Sequence, residues 1–119
     1  MSQNFQAGDY LIFQVESGYG LLRILAIDDS GGERVWHLAA YNELFFDIET
    51  ADAALSEPQN LTVSIPHVAL TNRAFEATQT ARMTNVPLTE AELQFLENWR
   101  QNDPANISDR SIRLMLGLR

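Results

Sequence analysis

The chain contains no cysteine and no lysine. The lack of cysteine excludes a disulfide framework, a thiol nucleophile and thiolate metal ligands. No run reaches the roughly 18 apolar residues that a transmembrane helix needs, and residues 1–7 show no basic segment followed by an apolar one. We therefore expect a cytoplasmic protein without a signal peptide and without a membrane partner.

Spacings typical of metal sites are also missing. His37 and His67 are thirty residues apart, and neither has a second histidine three or four residues away. A sheet could still bring the two rings together, and the sequence leaves that question open. We expect no metal site, no cofactor site and no catalytic residue, and an enzyme that uses either histidine is the least favoured of three functional hypotheses.

Positive charge is scarce in the first half of the chain. Residues 1–60 hold two arginines and ten acidic residues, whereas residues 61–119 hold six of each, so the first half carries the whole net charge of −8. Such an acidic field repels phosphate and disfavours nucleic acids and anionic membranes. The simplest role of this negative charge is to keep the protein soluble. A more specific role is to attract a basic protein partner.

The size and composition of the chain indicate one domain. A chain of 119 residues with 45% hydrophobic residues can bury roughly two thirds of its unfolded surface, so it needs no disulfide or metal ion for stability. We expect a single domain over residues 1–119, made of a strand-rich body over 1–86 and a helical tail over 87–119 that packs on it. The oligomeric state is left open.

Three apolar segments in the first third predict an antiparallel meander. These segments span residues 9–15, 21–27 and 34–40, and turn residues separate them. Ser17 to Gly20 is interpreted as a hairpin turn, because a phosphate loop would need a lysine and a following helix. Ser30, in the second turn, is interpreted as a turn residue because no nucleophile-elbow pattern surrounds it.

The middle of the chain is less regular. Residues 47–55 favour a short helix, and the alternation over 61–65 predicts a half-buried strand that Pro66 ends or places at a sheet edge. Residues 67–86 are the hardest to assign. There we predict one helical turn after Asn72, followed by a strand near 79–83.

Two helices are predicted at the end of the chain. Thr89 and Glu92 have the spacing of a capping box, and a second helix over 109–116 would be capped by Ser108. The fold class is therefore α+β: a bent antiparallel sheet or partly open small barrel of about five strands, with two C-terminal helices. The predicted core contains Leu22, Ile24, Trp36, Leu61, Val63, Phe95 and Trp99.

An aromatic concentration lies beside the acidic residues, and its ordinary role is to fill the core. Its more specific role, an exposed aromatic and acidic face, gives the favoured functional hypothesis. We predict a non-enzymatic interaction domain, because aromatic anchors with a charged rim are typical of tight interfaces. The alternative is a small-ligand-binding domain with a pocket between the sheet and the C-terminal helices. The candidate partner surface consists of Tyr19, Asp28, Asp29, Glu33, Tyr41, Glu43 and Asp47.

The beginning of the chain resembles a group of bacterial immunity proteins. Gly8-Asp9 at the entry to the first strand, and Gly18-Tyr19-Gly20 leading into the second, resemble the opening of these small, mostly β proteins found beside polymorphic toxins. The likeness covers about the first third of the chain. It implies a bacterial protein that binds another protein without catalysis, and it assigns no specific binding residue.

Overall fold

The computed structural model describes residues 4–29 and 32–118. Its centre is one open, five-stranded antiparallel sheet with strand order β4-β3-β2-β1-β5. The strands are β1 Asp9–Val15, β2 Gly18–Asp28, β3 Val35–Tyr41, β4 Val63–Thr71 and β5 Thr80–Asn85. The predicted α+β class, the five strands and the meander of β1 to β3 are confirmed. Ser30, assigned to a turn from the sequence, lies outside the described residues.

Four short helices accompany the sheet. They are α1 Ile48–Ala54, α2 Asn72–Glu76, α3 Glu90–Asn102 and α4 Ile112–Met115, and a 3-10 turn spans Pro58–Asn60. The predicted capping box of α3 is present, with Thr89 and Glu92 satisfying each other's backbone N–H groups. Within the described ranges, no helix combines the length and the apolar character needed to cross a bilayer.

Both faces of the sheet are covered, which explains why its central strands are apolar on both sides. The first face carries Leu11, Phe13, Leu22 and Ile24, and it packs against α2 and α4. The second face carries Tyr10, Ile12, Leu21 and Tyr41, with α1 at one end. The longer helix α3 lies on this second face, to which Arg23 and Asp28 bind it through ion pairs.

Pro66 lies within β4, an edge strand that continues through it to Thr71, so the second of the two positions predicted for Pro66 is confirmed. Two local predictions near the end of the chain need correction. The last helix is shorter than predicted and is capped by Ser111. Ser108 cannot serve as its cap, because Ser108 forms a short parallel bridge with the outer edge of β4.

The predicted core is correct in the centre of the sheet and wrong at its margin. Leu22, Ile24 and Trp36 are buried as predicted. Val63 and Phe95 are exposed, at 49% and 47%, because one starts an edge strand and the other lies beside the helix face that buries Leu96. The other two predicted core residues, Leu61 and Trp99, are half-buried.

Candidate functional site

The residues predicted to form one partner surface separate into two groups at opposite ends of β2. Tyr19 and Asp28 lie nine residues apart on this strand, which is about 30 Å at the usual rise of roughly 3.3 Å per residue. The molecule is 38 Å long, so the two groups cannot form one compact patch. One end holds Asp28, Asp29 and Glu33, and the other holds Tyr19, Tyr41, Glu43 and Asp47.

At the first end the acids are held by cations of the protein itself. Arg100 donates to both carboxylate oxygens of Asp28, at 2.9 and 3.0 Å, and this pairing lowers the pKa of Asp28. Arg34 pairs with Asp29 at 3.3 Å, and Glu33 is exposed. This end therefore offers little uncompensated negative charge.

The second end presents three apolar side chains to solvent. Leu44 and Phe46, between β3 and α1, and Ile48, the first residue of α1, are 41%, 80% and 50% exposed. We call these three residues the apolar stripe. Exposed large apolar groups that lie next to one another mark interaction surfaces more often than isolated ones do.

The alternate residues of the same segment hold it in place. The N–H of Thr62 donates to both carboxylate oxygens of Glu43 at 2.9 Å, and Phe45 exchanges two backbone hydrogen bonds with Tyr19 at 2.7 and 2.8 Å. Asp47 caps α1, where the N–H of Thr50 donates to it at 2.7 Å. The segment is therefore held by the contacts of Glu43, Phe45 and Asp47, whereas Leu44, Phe46 and Ile48 are exposed.

Gly18 makes this attachment possible. Its φ of +149° is disfavoured for other residues, and a Cβ at this position would overlap the carbonyl oxygen of Phe45. The glycine of the Gly18-Tyr19-Gly20 turn thus serves the close approach of the loop that carries the apolar stripe.

Tyr41, another predicted surface residue, is buried at 7% exposure. Burial raises the pKa of its phenol, and its ring lies against that of Tyr10, with centroids 6.1 Å apart. Tyr41 therefore supports the second face of the sheet, whereas Tyr19 is half-buried and contacts the stripe segment.

The structure brings the two histidines together on the second face. His37 Nδ1 lies 3.0 Å from His67 Nε2, and His37 Nε2 lies 2.8 Å from Asp28 Oδ2. Trp99 of α3 packs edge-on over His37, with ring centroids 4.7 Å apart. The arrangement joins β2, β3, β4 and α3 in one polar cluster.

A bulge in β2 creates this cluster. The register between β2 and β3 shifts between Ile24 and Ala26, which inserts one extra residue and reverses which face each later residue of β2 occupies. Because of the bulge, the side chain of Ile27 lies on the first face, and that of Asp28 lies on the second face with His37.

The chemistry of the cluster is that of two neutral imidazoles. A carboxylate accepts, so His37 Nε2 carries a hydrogen and His37 Nδ1 accepts from His67 Nε2. Burial lowers the pKa of His37, and burial with the charges of His37 and Arg100 lowers that of His67 to about 4. Among the described residues, no group of three or more histidine, aspartate or glutamate side chains is arranged so that it could hold a metal ion. Both ring nitrogens of His37 are already bonded within the protein. The cluster is suited to holding α3 on the sheet, because Trp99 packs on His37 and Arg100 pairs with Asp28.

A small apolar cleft lies between the sheet and α3, where the alternative hypothesis placed a pocket. Its volume is about 380 Å³. Of the two polar side chains that line it, Glu92 is already paired with Arg23 and Tyr41 is itself buried. The lining consists of Leu25, Ala39, Tyr41, Val63, Pro66, Ala91, Glu92 and Phe95.

Sequence reasoning did not assign the apolar stripe, although a signal for it existed. Residues 43–49 read Glu-Leu-Phe-Phe-Asp-Ile-Glu, in which every second residue from Leu44 to Ile48 is apolar. Such alternation usually buries the apolar side of a strand. Here the residues that are held in place are Glu43, Phe45 and Asp47. This can be recognised only from the contacts that they make in the folded protein.

Comparison with known proteins gives no match: no family model, no curated protein and no solved structure is similar to this chain.

Proposed function

We propose that this protein is a non-enzymatic interaction domain that binds a basic protein through the apolar stripe of Leu44, Phe46 and Ile48. The observation that carries the proposal is the exposure of these three side chains on a segment whose alternate residues are all fixed. A segment held in place before binding loses little conformational entropy when a partner docks. Such a segment is suited to presenting apolar anchors.

The charge around the stripe indicates the chemistry of the partner. Between Arg34 and Arg73 the chain has five acidic residues and no lysine or arginine. Glu49 and Asp52, on the first turns of α1, are exposed next to the stripe. A partner with an apolar pocket inside a basic rim would complement this surface, and long-range attraction would speed its association.

The resemblance to bacterial immunity proteins is consistent with the proposal. Those proteins act by binding another protein, and the Gly18-Tyr19-Gly20 turn on which the resemblance rests is the turn that holds the stripe segment. We propose a protein partner of the kind that immunity proteins bind. The position of the binding surface follows from the exposure of the apolar stripe and not from the resemblance.

Selection of displayed peptides tests the proposal. Random peptides on phage are selected against the wild-type chain alone, and the enriched peptides are then tested on variants. We expect the enriched peptides to combine arginine or lysine with an apolar anchor and to bind Phe46→Ser at least about tenfold more weakly, a loss typical of a central anchor residue. A Leu114→Ser variant is the matched control, since Leu114 is 61% exposed on α4, outside the stripe.

Two outcomes would contradict the proposal: enrichment without basic residues, or an equal loss of binding in Leu114→Ser. The contribution of the acidic residues to association is measured separately. Reversal of Glu49 and Asp52 to lysine should slow association of a selected peptide and leave thermal unfolding nearly unchanged, because exposed charges contribute little to stability.

A second candidate function is favoured by one observation, the apolar cleft between α3 and the sheet. Its volume falls within the usual range of ligand sites, about 300–1,000 Å³. Because its one charged side chain, Glu92, is paired with Arg23 and most of the lining is apolar, the ligand would be apolar and uncharged. Replacement of the exposed Ala91 with phenylalanine should fill the cleft and abolish binding of the neutral dye Nile red, whereas undiminished dye binding would exclude the cleft as the site.

A further inference from the structure

The two edges of the sheet differ in how they are protected. Unpaired backbone groups at a sheet edge can bind a further strand, and proteins usually cover or interrupt such an edge. On β4, Pro66 has no N–H group, and Ser108 forms backbone hydrogen bonds with Ala69 and Thr71, at 2.8 and 3.0 Å. On β5, residues 81–85 contain no proline, and within the described part of the chain their backbone is bonded to β1 alone. The sheet is therefore open at β5.

The hydrogen-bond pattern of β1 determines which backbone groups of β5 face solvent. Val15 and Gly18 flank a two-residue turn, so these two residues bond to each other, and the backbone of Val15 faces β2. Backbone groups alternate in direction along a strand, so Ile12, three residues earlier, faces β5, where its partner is Ala81. The N–H and C=O groups of the next residue, Arg82, therefore point away from β1. Arg82 is an exposed residue, so a strand from outside can reach these groups.

The charge at this edge differs from that of the protein as a whole. Arg82 is the one charged residue of β5, although the chain carries a net charge of −8. Its side chain is 40% exposed and lies 4.0 Å from Asp9, a buried carboxylate that already accepts hydrogen bonds from Gln6 and Asn85 at 2.8 Å. Like charges on paired strands repel, so Arg82 disfavours pairing with β5 of a second copy. It favours a strand that carries a carboxylate.

We propose that the open edge of β5 binds an extended acidic segment of another protein as a sixth strand. The segment exchanges backbone hydrogen bonds with Arg82 and places a carboxylate beside its guanidinium. The register shift opposite Tyr10 makes Met83 the extra residue of a bulge, so pairing is limited to the half of β5 before it. An open groove of about 680 Å³ lies beside this half, between Ala81 and the stripe residue Ile48. The site adjoins the apolar stripe, but its ligand is acidic, whereas the partner proposed for the stripe is basic.

Selection of peptides on a variant without the stripe anchor tests the proposal. Ligands of so short an edge should bind more weakly than ligands of the stripe, so random peptides on phage are selected against Phe46→Ser. We expect the enriched peptides to contain aspartate or glutamate among β-forming residues. They should bind the wild-type chain and Phe46→Ser with equal affinity, which separates this site from the surface proposed for the basic partner.

Two substitutions at one position separate the charge from the backbone bond. Arg82→Ala removes the guanidinium and should weaken peptide binding about threefold, as expected when a cross-strand charge pair is lost. Arg82→Pro removes the guanidinium and also the outward N–H group, and it should bind at least about fivefold more weakly than Arg82→Ala. Proline is tolerated on an edge strand where its nitrogen faces solvent, so the pairing of β5 with β1 should persist. Thermal unfolding of both variants is measured first.

Amide hydrogen exchange tests the same bond in the wild-type chain, whether or not Arg82→Pro folds. An enriched peptide at saturation should slow exchange of the Arg82 amide at least about tenfold and change that of Ala81 little, because the Ala81 amide is already bonded to β1. Four results would overturn the proposal: no enrichment, enrichment without acidic residues, equal affinities of Arg82→Ala and Arg82→Pro when both are folded, or unchanged exchange at Arg82. Sedimentation of the wild-type chain should show a monomer. A dimer that Arg82→Pro dissociates would assign the edge to a second copy instead.

Discussion

Arg23 of β2 and Glu92 of α3 form a nearly buried ion pair, in which two guanidinium nitrogens donate to the two carboxylate oxygens at 2.9 and 3.1 Å. The guanidinium also donates to three backbone carbonyl groups and lies over the ring of Tyr10 at 4.3 Å. Partial burial raises the pKa of Glu92, but the hydrogen bonds from Arg23 and Thr89 and the charge of Arg23 together outweigh that effect, and the net pKa is lowered. This pair attaches the helical tail to the sheet.

Replacement of Glu92 with glutamine should lower the free energy of unfolding by about 3 kcal/mol, because it leaves a buried guanidinium without its counter-charge. Glutamine retains the capping-box hydrogen bonds, so the loss reports the charge pair. Urea denaturation measures it, with Glu90→Gln on the same helical turn as control. An equal, small effect of both substitutions would show that the carbonyl groups alone satisfy Arg23.

Gly20 and Phe13 form a second constrained pair, since they lie opposite each other on β2 and β1. A Cβ on Gly20 would lie 2.6 Å from the ring of Phe13, which is itself 2% exposed and cannot move aside. Gly20→Ala should therefore cost about 2 kcal/mol from overpacking. In a Phe13→Leu background the same substitution should cost less, and equal costs in both backgrounds would contradict the proposed overlap.

Gly18→Ala should release the segment that carries the apolar stripe. The added Cβ would overlap the carbonyl oxygen of Phe45, so the two backbone hydrogen bonds between Phe45 and Tyr19 should weaken. We expect faster amide hydrogen exchange at these two residues, with unchanged exchange in the centre of β3. Retained protection at Phe45 would show that the loop is held by Glu43 and Asp47 alone.

The histidine cluster predicts that stability falls on mild acidification. In the unfolded chain histidine takes up a proton near its ordinary pKa of 6.5, whereas the folded-state pKa of His67 is about 4. The unfolded state therefore binds more protons between pH 6.5 and 4, and the folded state loses on the order of 2 kcal/mol as the pH falls through this range. Above pH 6.5 this contribution should be constant.

His67→Gln provides the control for this pH dependence. Its amide nitrogen can donate to His37 as Nε2 of His67 does, and it does not titrate. Urea denaturation at several pH values should show a flatter profile for this variant between pH 6.5 and 4.5. Identical profiles in wild type and variant would assign the acid sensitivity to other groups.

The sequence alone determined the features that rest on local chemistry. The meander of β1 to β3 followed from apolar segments separated by glycine-containing turns, and the start of α3 followed from the capping box of Thr89 and Glu92. Within residues 67–86, which were the hardest to assign, α2 and β5 also lie close to their predicted positions. Each of these signals lies within a few residues of the structure it specifies.

Only the tertiary structure decided which side chains meet and which face solvent. The bulge near Leu25 placed Asp28 beside His37, and strand pairing brought His37 to His67 across thirty residues. The same pairing separated the predicted partner surface into two ends, because antiparallel strands place the two turns that flank β2 at opposite ends of that strand. Residue type and spacing fix local conformation, but register, which differs by a whole face with each one-residue shift, depends on packing that no single segment encodes.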